Sequence, residues 1–483
     1  MQPLPKTDDH LPNICGYETL ISQTMARSAP YYLPESNIDF ASIQSGFATA
    51  LHMHQPMIPA EGHALETAKV VSNLKIMMKD PGSDDHYNAT IFHDCYKRMG
   101  TFIPELIRAG CHPRIMLDYS GALLHGLIDM GLTDVIDSLR TITQTPEYRP
   151  CVEWLGTAWG HPVAPSTPVQ DYRLHVMAWQ HYFADLFGTE ALSRVRGFSP
   201  CEMALPNHPD VCYEFIKTLK DCGYRWLLVQ EHTIESMTDQ GIDPYLPHCL
   251  IAQNSQGQTE QITAIIKTQG SDTKLVAQMQ PYFEAMGQTR RTLAGQSVPP
   301  LATQIADGEN GGVMMNEFPP KYNQVMQEAS SSATPAVNVT EYLEYLDTLG
   351  ITESDLPKVQ PVLQHRIWAQ FETGAGPDAM EQQIKSLQAE DDRFHMQGGS
   401  WTNDISWVQG YESVLGPMQK ASALFAQNIL EASMPTSDPR FKESLLNLML
   451  SQTSCFRYWG EGQWTDYGKE LCRRVAACIE SGA

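Results

Sequence analysis

Short apolar runs alternate with amphipathic stretches along the N-terminal part of the chain, and the runs stop at His, Gly, Pro or acidic residues, as strands do. They lie at 47–54, 114–119, 152–158, 195–198, 226–230 and 301–306. The stretches between them place apolar residues three and four positions apart, which predicts helices. These lie at 64–78, 91–109, 123–139, 169–187 and 209–223. The alternation predicts an α/β fold with a parallel sheet or barrel.

The later part of the chain is dominated by helical spacing. Two short antiparallel strands are predicted at 249–253 and 261–267. Further helices are predicted at 273–286, 339–348, 378–391, 408–432, 441–450 and 467–477. We therefore predict three parts, namely an N-terminal arm (1–42), a barrel-type catalytic domain (43–350) and a C-terminal helical domain (351–483) that completes the active-site cleft.

Composition narrows the classes of partner. With 42% hydrophobic and 18% charged residues, the chain can bury a sizeable core. Its formal charge is −23, from 33 Lys and Arg against 56 Asp and Glu. Such an acidic surface repels phosphate backbones and anionic lipid, so nucleic acid and membrane partners are not expected, whereas a neutral substrate is compatible.

The cysteines and the N-terminus point to the cytoplasm. The eleven cysteines are an odd number and contain no CxxC pair, which argues against a disulfide framework and against a zinc-finger site. Reduced thiols in the cytoplasm fit better. The first residues lack the basic start and apolar run of a secretory signal, and no run of about 18 apolar residues predicts a membrane span.

Polar or aromatic side chains stand where several predicted strands end. They are His52, His54, Trp159, His161, Glu202, Asp307 and Glu309. In α/β barrels, the carboxyl ends of the strands carry the chemistry. Glu202 and Asp307 come from different strands, and such a pair suits cleavage of a glycosidic bond, because one carboxylate attacks or stabilises the anomeric carbon while the other transfers protons.

Five motifs, in order, resemble those of glycoside hydrolase family 57. They are MHQP at 53–56, EWLGTAWGHP at 153–162, GFSPCEMAL at 197–205, DGE at 307–309 and WTNDISW at 401–407. The resemblance covers roughly residues 50 to 410 and implies a distorted (β/α)7 barrel followed by a helical bundle. It implies retaining action on α-1,4-linked glucans or maltooligosaccharides, by an amylase, a glucanotransferase or a branching enzyme, without a catalytic metal or other cofactor.

The resemblance also assigns roles to individual residues. Glu202 matches the nucleophile of the third motif, and Asp307 matches the general acid/base of the fourth. The remaining motif positions are expected to bind substrate: His54, Gln55, Glu153, His161, Asp404 and Trp407.

Several of the residues in and beside the motifs also have a structural interpretation. His52 could be a core histidine, Glu153 could hold a neighbouring His or a loop, and Glu309 could raise the pKa of Asp307 by like-charge repulsion. Asp404 could cap a helix and Trp407 could be a core residue.

Two other functions stay open. The first is a metal-dependent hydrolase that uses His52, His54, His161 and Asp307, because a His-x-His pair at a strand end also binds zinc. The second is a glucan-binding homologue without catalysis.

Overall fold

A computed structural model describes residues 4–5, 11–82, 84–268, 276–309, 317–400, 412–458 and 461–480. The strands are β1 (Gly46–Met53), β2 (Met57–Glu61), β3 (Lys69–Ser72), β4 (Ile115–Tyr119), β5 (Val152–Trp154), β6 (Gly197–Phe198), β7 (Trp226–Gln230), β8 (Ile234–Ser236), β9 (His248–Gln253), β10 (Thr259–Lys267), β11 (Arg291–Leu293), β12 (Gln296–Val298), β13 (Leu301–Asp307) and β14 (Lys358–Pro361). The α-helices are Glu18–Met25, Asn73–Met77, Asp84–Lys97, Met99–Arg108, Gly121–Asp129, Thr133–Gln144, Val169–Phe187, Thr189–Ser193, Pro209–Asp221, Gln280–Met286, Phe318–Ala329, Val339–Thr348, Gln364–Trp368, Pro377–Glu390, Glu412–Phe425, Pro439–Ser451, Cys455–Tyr458 and Gln463–Glu480.

Seven strands pair in parallel around β1, which lies between β4 and β13. β4 continues to β5, while β13 continues through β10 and β7 to β6. The two ends of this series meet, because the Gly156 N–H donates to the Gly197 carbonyl (2.9 Å) and the Ser199 N–H donates to the Gly156 carbonyl (2.8 Å). The fold is therefore the predicted mixture of helices and a parallel sheet.

Alternation along the strands decides which residues face the inside of this series. Every residue of β1 and of β4 is buried, as expected for strands covered on both faces. Ala48 and Ala50 belong to one apolar cluster with Met116 and Ile305, whereas Phe47 and Leu51 belong to the larger cluster beneath the helices. His52 therefore continues the inward face of β1, because residues two apart share a face.

The inward register brings acidic side chains beside His52. In the β1–β13 pair, His52 lies opposite Asp307, and in the β1–β4 pair it lies opposite Asp118. All three residues stand at or near the carboxyl ends of their strands. Parallel pairing alone thus gathers two carboxylates around one imidazole.

The helices near the C-terminus pack on the same core as the strands. Leu448, Met449 and Leu471 are buried in the large cluster that also contains Leu51 and Leu117. A third, smaller cluster around Ile384 is confined to residues 363–396. None of the helices within the described ranges combines the length and the apolar character that crossing a bilayer requires.

Most predicted elements are present, and the exceptions have physical causes. The predicted helix at 64–78 is instead a 3-10 turn (Leu65–Thr67), the strand β3 and the short helix Asn73–Met77, and β3 pairs antiparallel with the preceding β2. The β-branched residues Val70 and Val71 favour the strand. β14 lies beyond the predicted boundary at residue 350, yet it pairs with β8 and β9 in the large sheet.

Candidate active site

Glu202 lies in a tight turn directly after β6. The 3-10 turn Cys201–Met203 follows Pro200, and Glu202 adopts a left-handed backbone conformation with φ of 60°. Its side chain is only 6% exposed. One carboxylate oxygen accepts a hydrogen bond from the Ser454 hydroxyl at 2.6 Å. A buried carboxylate held by a donor in a strained turn is typical of a functional position.

His161 meets Glu202 from the loop that follows β5. It also has a left-handed backbone, with φ of 60°, and its carbonyl accepts the Ser454 N–H at 2.9 Å. Its Nδ1 lies 2.9 Å from the Ser454 hydroxyl and 3.6 Å from a Glu202 oxygen. Ser454 follows the helix Pro439–Ser451, so the C-terminal helices supply a side chain to the strand ends.

His52 links the strands to His161. Its Nδ1 lies 2.9 Å from a carboxylate oxygen of Asp118, and its Nε2 lies 2.8 Å from Nε2 of His161. The His54 ring stacks on His161 with centroids 4.0 Å apart. His54 in turn contacts the Ser120 hydroxyl through Nδ1 (2.7 Å) and the Thr453 hydroxyl through Nε2 (3.2 Å).

Asp307 is the last residue of β13 on the other side of β1, and Glu309 follows two residues later. The Glu309 N–H donates to Asp307 at 3.0 Å. The Glu309 carboxylate accepts the His54 N–H with both oxygens (3.1 Å) and accepts the Tyr96 hydroxyl at 2.6 Å. Glu309 therefore ties the end of β13 to the end of β1, and it thereby holds the segment that carries Asp307.

The acids form one electrostatic cluster. The charges of Asp307 and Glu202 both raise the pKa of His52. The charges of Glu202, Asp307 and Glu309 all raise the pKa of the Cys455 thiol. Burial raises the pKa of Asp307, and the charge of His52 partly opposes this. Burial and the Asp307 charge raise the pKa of Glu309 to about 8. Hydrogen bonds from Glu309 lower the pKa of Asp307 and so oppose the effect of burial.

The histidines differ in charge. Burial disfavours the charged ring of His52, but the carboxylates of Asp118, Asp307 and Glu202 together outweigh it, and the pKa of His52 is raised to about 9. Burial lowers the pKa of His54 and of His161 well below the usual value, and the charge of His52 lowers both further. One cationic ring therefore lies beside two neutral rings near neutral pH.

The structure separates the predicted substrate ligands into three groups. His54, Gln55 and His161 lie in or beside the cluster, and Gln55 accepts a hydrogen bond from the Asn73 side chain at 3.2 Å. Both ring nitrogens of His54 and of His161 already contact protein groups, so a sugar hydroxyl would have to replace one of these contacts. Glu153 forms the second group. Asp404 and Trp407 form the third, and both lie outside the described residues.

Glu153 is not part of the cluster, and its carboxyl group binds the start of a helix instead. In the β4–β5 register Glu153 lies opposite Met116, which precedes Asp118 by two residues on β4. The residue is fully buried, and its carboxylate accepts hydrogen bonds from the Thr340 hydroxyl and from the Thr340 N–H (3.1 Å). It therefore holds the start of the helix Val339–Thr348 on the inward face of the strands.

Sequence reasoning did not identify Asp118, Ser120, Thr453 or Ser454. An acid within the apolar run at 114–119 was an available signal for Asp118, because a buried carboxylate needs a partner. No local signal identifies Ser454, since its partner Glu202 is 252 positions away.

The three histidines do not have the spacing of a zinc site. Two nitrogens bound to one tetrahedral zinc ion lie about 3.3 Å apart. Nε2 of His52 and Nε2 of His161 are 2.8 Å apart, which is a hydrogen-bond distance. Within the described ranges, no group of three or more His, Cys, Asp or Glu side chains is arranged to hold a metal ion.

The sequence matches no protein-family model and no curated protein significantly. Solved structures do match over most of the chain. The α-amylase AmyC from Thermotoga maritima is 12% identical with a TM-score of 0.53, over 91% of this chain and 93% of that one. The GH57-type branching enzyme from Pyrococcus horikoshii is 11% identical with a TM-score of 0.52, over 89% and 87%.

A third similar structure is larger than this chain. The 4-alpha-glucanotransferase from Thermococcus litoralis is 17% identical with a TM-score of 0.50, over 90% of this chain. This chain spans only 57% of that enzyme. At such identities the likeness concerns the fold. The predicted resemblance is confirmed at that level: the chain has the fold of the glycoside hydrolase family 57 enzymes.

Proposed function

We propose that the chain is a retaining enzyme that acts on α-1,4-linked glucans by double displacement, through hydrolysis or transfer. Glu202 is the nucleophile and Asp307 is the general acid/base. The observation that carries the proposal is the position of His52 at the strand ends, opposite Asp307 in the β1–β13 register and linked to Glu202 through His161, in a fold shared with α-glucan-acting enzymes. The two acids are far apart in sequence, so the fold alone brings them together.

The chemistry follows from the environments of the two acids. Glu202 attacks the anomeric carbon as Asp307 protonates the leaving oxygen, which gives a β-glycosyl-enzyme. Asp307 then accepts a proton from water or from a sugar hydroxyl, and that oxygen displaces Glu202. Burial favours a protonated Asp307 at the first step, while the Ser454 hydroxyl favours an anionic Glu202.

We also propose the finer architecture that the motifs imply. The series of seven parallel strands forms a distorted (β/α)7 barrel, and the C-terminal helices form a bundle that completes the cleft. The contacts of Thr453 and Ser454 with His54, His161 and Glu202 support this division. A cytoplasmic location agrees with the eleven free thiols.

Azide rescue tests the two roles separately. The variants Glu202→Ala and Asp307→Ala are each expected to lose about a hundredfold or more of the turnover of an α-maltooligosaccharide with a good leaving group. With azide present, the first variant should yield the β-glycosyl azide, because the small anion takes the place of the nucleophile. The second should yield the α-glycosyl azide, because azide attacks the glycosyl-enzyme without a base.

Glu390→Ala is the matched control, because Glu390 is exposed at the end of the helix Pro377–Glu390. It should retain wild-type turnover and give no azide product. Wild-type rates in both site variants would contradict the assignment. Stoichiometric zinc in the purified protein would favour the metal-dependent hydrolase, and glycogen binding without any product would favour the non-catalytic binder.

A further inference from the structure

Five buried side chains form an unbroken series of contacts from β4 to the proposed nucleophile. Asp118 contacts His52 (2.9 Å), His52 contacts His161 (2.8 Å), His161 contacts Ser454 (2.9 Å) and Ser454 contacts Glu202 (2.6 Å). None of the five residues is more than 6% exposed. Water therefore has little access to the protons within this series.

The direction of each hydrogen bond in the series depends on its neighbours. Carboxylates only accept, so His52 donates from Nδ1 to Asp118. The contact between the two Nε2 atoms contains one proton. If His52 is cationic it donates to His161, which then donates from Nδ1 to Ser454, and the Ser454 hydroxyl donates to Glu202. If His52 is neutral, His161 donates from Nε2 to His52, and Ser454 donates to Nδ1 of His161. The Ser454 oxygen then presents a lone pair to Glu202.

We propose that Asp118, His52, His161 and Ser454 act as positioning residues that hold Glu202 as a carboxylate by carrying its proton to His52. This inference rests on the proposed function of Glu202 as a nucleophile. It gives a role to Ser454, which no motif resemblance explains, and to Asp118, which sequence reasoning did not identify.

The proton transfer is balanced without any external group. The proton leaves Glu202 for the Ser454 oxygen, and the original hydroxyl proton of Ser454 passes to Nδ1 of His161. The proton on Nε2 of His161 passes to Nε2 of His52. The products are a Glu202 carboxylate and a His52 imidazolium that donates to Asp118 and to His161.

The charges around His52 favour this outcome. Asp118 on β4, Asp307 at the end of β13 and Glu202 after β6 all raise the pKa of His52 against the effect of burial. His54 and His161 face it as neutral rings. Three surrounding carboxylates therefore stabilise the proton on His52 once it has left Glu202.

The first test observes the imidazole nitrogens directly by NMR of protein with ¹⁵N-labelled histidine, with signals assigned through His52→Asn and His161→Asn. Near neutral pH, His52 should be an imidazolium and His161 should carry its proton on Nδ1. As the pH passes about 9, His52 should lose a proton and His161 should change to the Nε2–H tautomer in the same transition. A neutral His52 at neutral pH, or an unchanged His161 tautomer, would overturn the proposal.

The second test follows the acidic limb of the pH profile of kcat/KM. Ser454→Ala removes the donor to Glu202 and should move this limb upward by about one pH unit. Ser451→Ala is the matched control, because Ser451 is equally buried near the end of the same helix but bonds to the Leu448 carbonyl. It should leave the profile unchanged, and melting curves identify any variant that fails to fold.

Asp118→Asn tests whether Asp118 affects Glu202 through Ser454 or independently of it. It should move the acidic limb in the wild-type background, but by less than half as much in the Ser454→Ala background, because the connection is already broken. Equal shifts in both backgrounds would overturn the proposal. A protein without glucan activity would contradict the proposed function alone, since the NMR titration of His52 and His161 needs no turnover.

Discussion

Glu202 and His161 hold backbone conformations that side chains with a Cβ atom rarely adopt. Each has φ of 60°, and a left-handed residue of this kind costs about 1–2 kcal/mol. The surrounding contacts fix both positions: Ser454 binds the Glu202 carboxylate through its hydroxyl and the His161 carbonyl through its N–H. The strain is therefore concentrated where two side chains must point at each other, as is common in active sites.

Glu153 gives a prediction about stability, because burial raises its pKa to about 8 in the folded chain from an ordinary value of 4.5. Between these two values the folded state keeps a proton that the unfolded state releases. The contribution of Glu153 to the free energy of unfolding is therefore complete below pH 4.5 and falls by about 1.4 kcal/mol per pH unit up to the folded pKa. Glu153→Gln should remove this slope.

Urea unfolding of wild type and variant across this range measures the effect. Glu309 also has a raised pKa, but it contributes equally to both proteins, so the difference between them isolates Glu153. Glu390→Gln, at an exposed position, is the control and should follow wild type. If the free energies of unfolding of Glu153→Gln and wild type changed with pH in parallel, the prediction would be contradicted.

At the scale of elements, the end of the helix Pro439–Ser451 fixes the position of the residues after it. The Gln452 side chain donates to Asp171 (2.6 Å) and lies 2.9 Å from Nε2 of His175, whose Nδ1 accepts the Gly160 N–H at 3.0 Å. The helix end and the loop that carries His161 are thus held by one set of bonds. Thr453 and Ser454 reach the strand ends because of this docking.

Gly160 has no room for a side chain at this junction. A Cβ atom there would lie 2.3 Å from the Met449 carbonyl oxygen and 2.7 Å from Cε1 of His175. Gly160→Ala should therefore push the helix away, lower the free energy of unfolding by about 1–3 kcal/mol and reduce kcat/KM by about tenfold to a hundredfold. Urea unfolding and steady-state kinetics measure the two effects.

Gly241→Ala is the control, because this glycine is exposed and its φ lies outside the left-handed region. A Cβ atom added there would meet no atom of the described residues within 4 Å, apart from its chain neighbours. The substitution should change the free energy of unfolding by no more than about 0.5 kcal/mol. If Gly160→Ala behaved in the same way, the helix and loop would not be in close contact.

Local pattern predicts elements well where the pattern is long, and it fails where partners are distant. The helix Val169–Phe187 and the strand Trp226–Gln230 have the bounds that the sequence predicts. The strand Val152–Trp154 is buried throughout and only three residues long, so no alternation indicates where Glu153 points. The position of Ser454 depends on tertiary docking, which leaves no periodic signal in the sequence.

At the scale of the whole molecule, the described residues form three apolar clusters: the large one beneath the helices, the one on the inward face of the strands and the small one around Ile384. Leu448 in the C-terminal helices shares its cluster with residues of β1 and β4, whereas Ile384 belongs to the cluster confined to 363–396. The larger core therefore couples the C-terminal helices to the strands. The smaller core can open without exposing them.

Leu448→Ala and Ile384→Ala test this coupling as a matched pair. Each removes a buried aliphatic side chain and should lower local stability by about 2–5 kcal/mol. Hydrogen exchange followed by mass spectrometry should accelerate across the strand ends and the C-terminal helices in the first variant. In the second, faster exchange should be confined to 363–396, and acceleration in β1 or β4 would contradict the separation of the cluster around Ile384 from the large one.

The contact between Ser454 and Glu202 has a consequence for synthesis on the ribosome. The strands and the acids at their ends are translated well before Ser454, and domains generally fold from the N-terminus as they emerge. A nascent chain that has released β13 still lacks Ser454 and the C-terminal helices that share the core of the strands. The proposed nucleophile therefore gains its hydrogen-bond donor only late in translation.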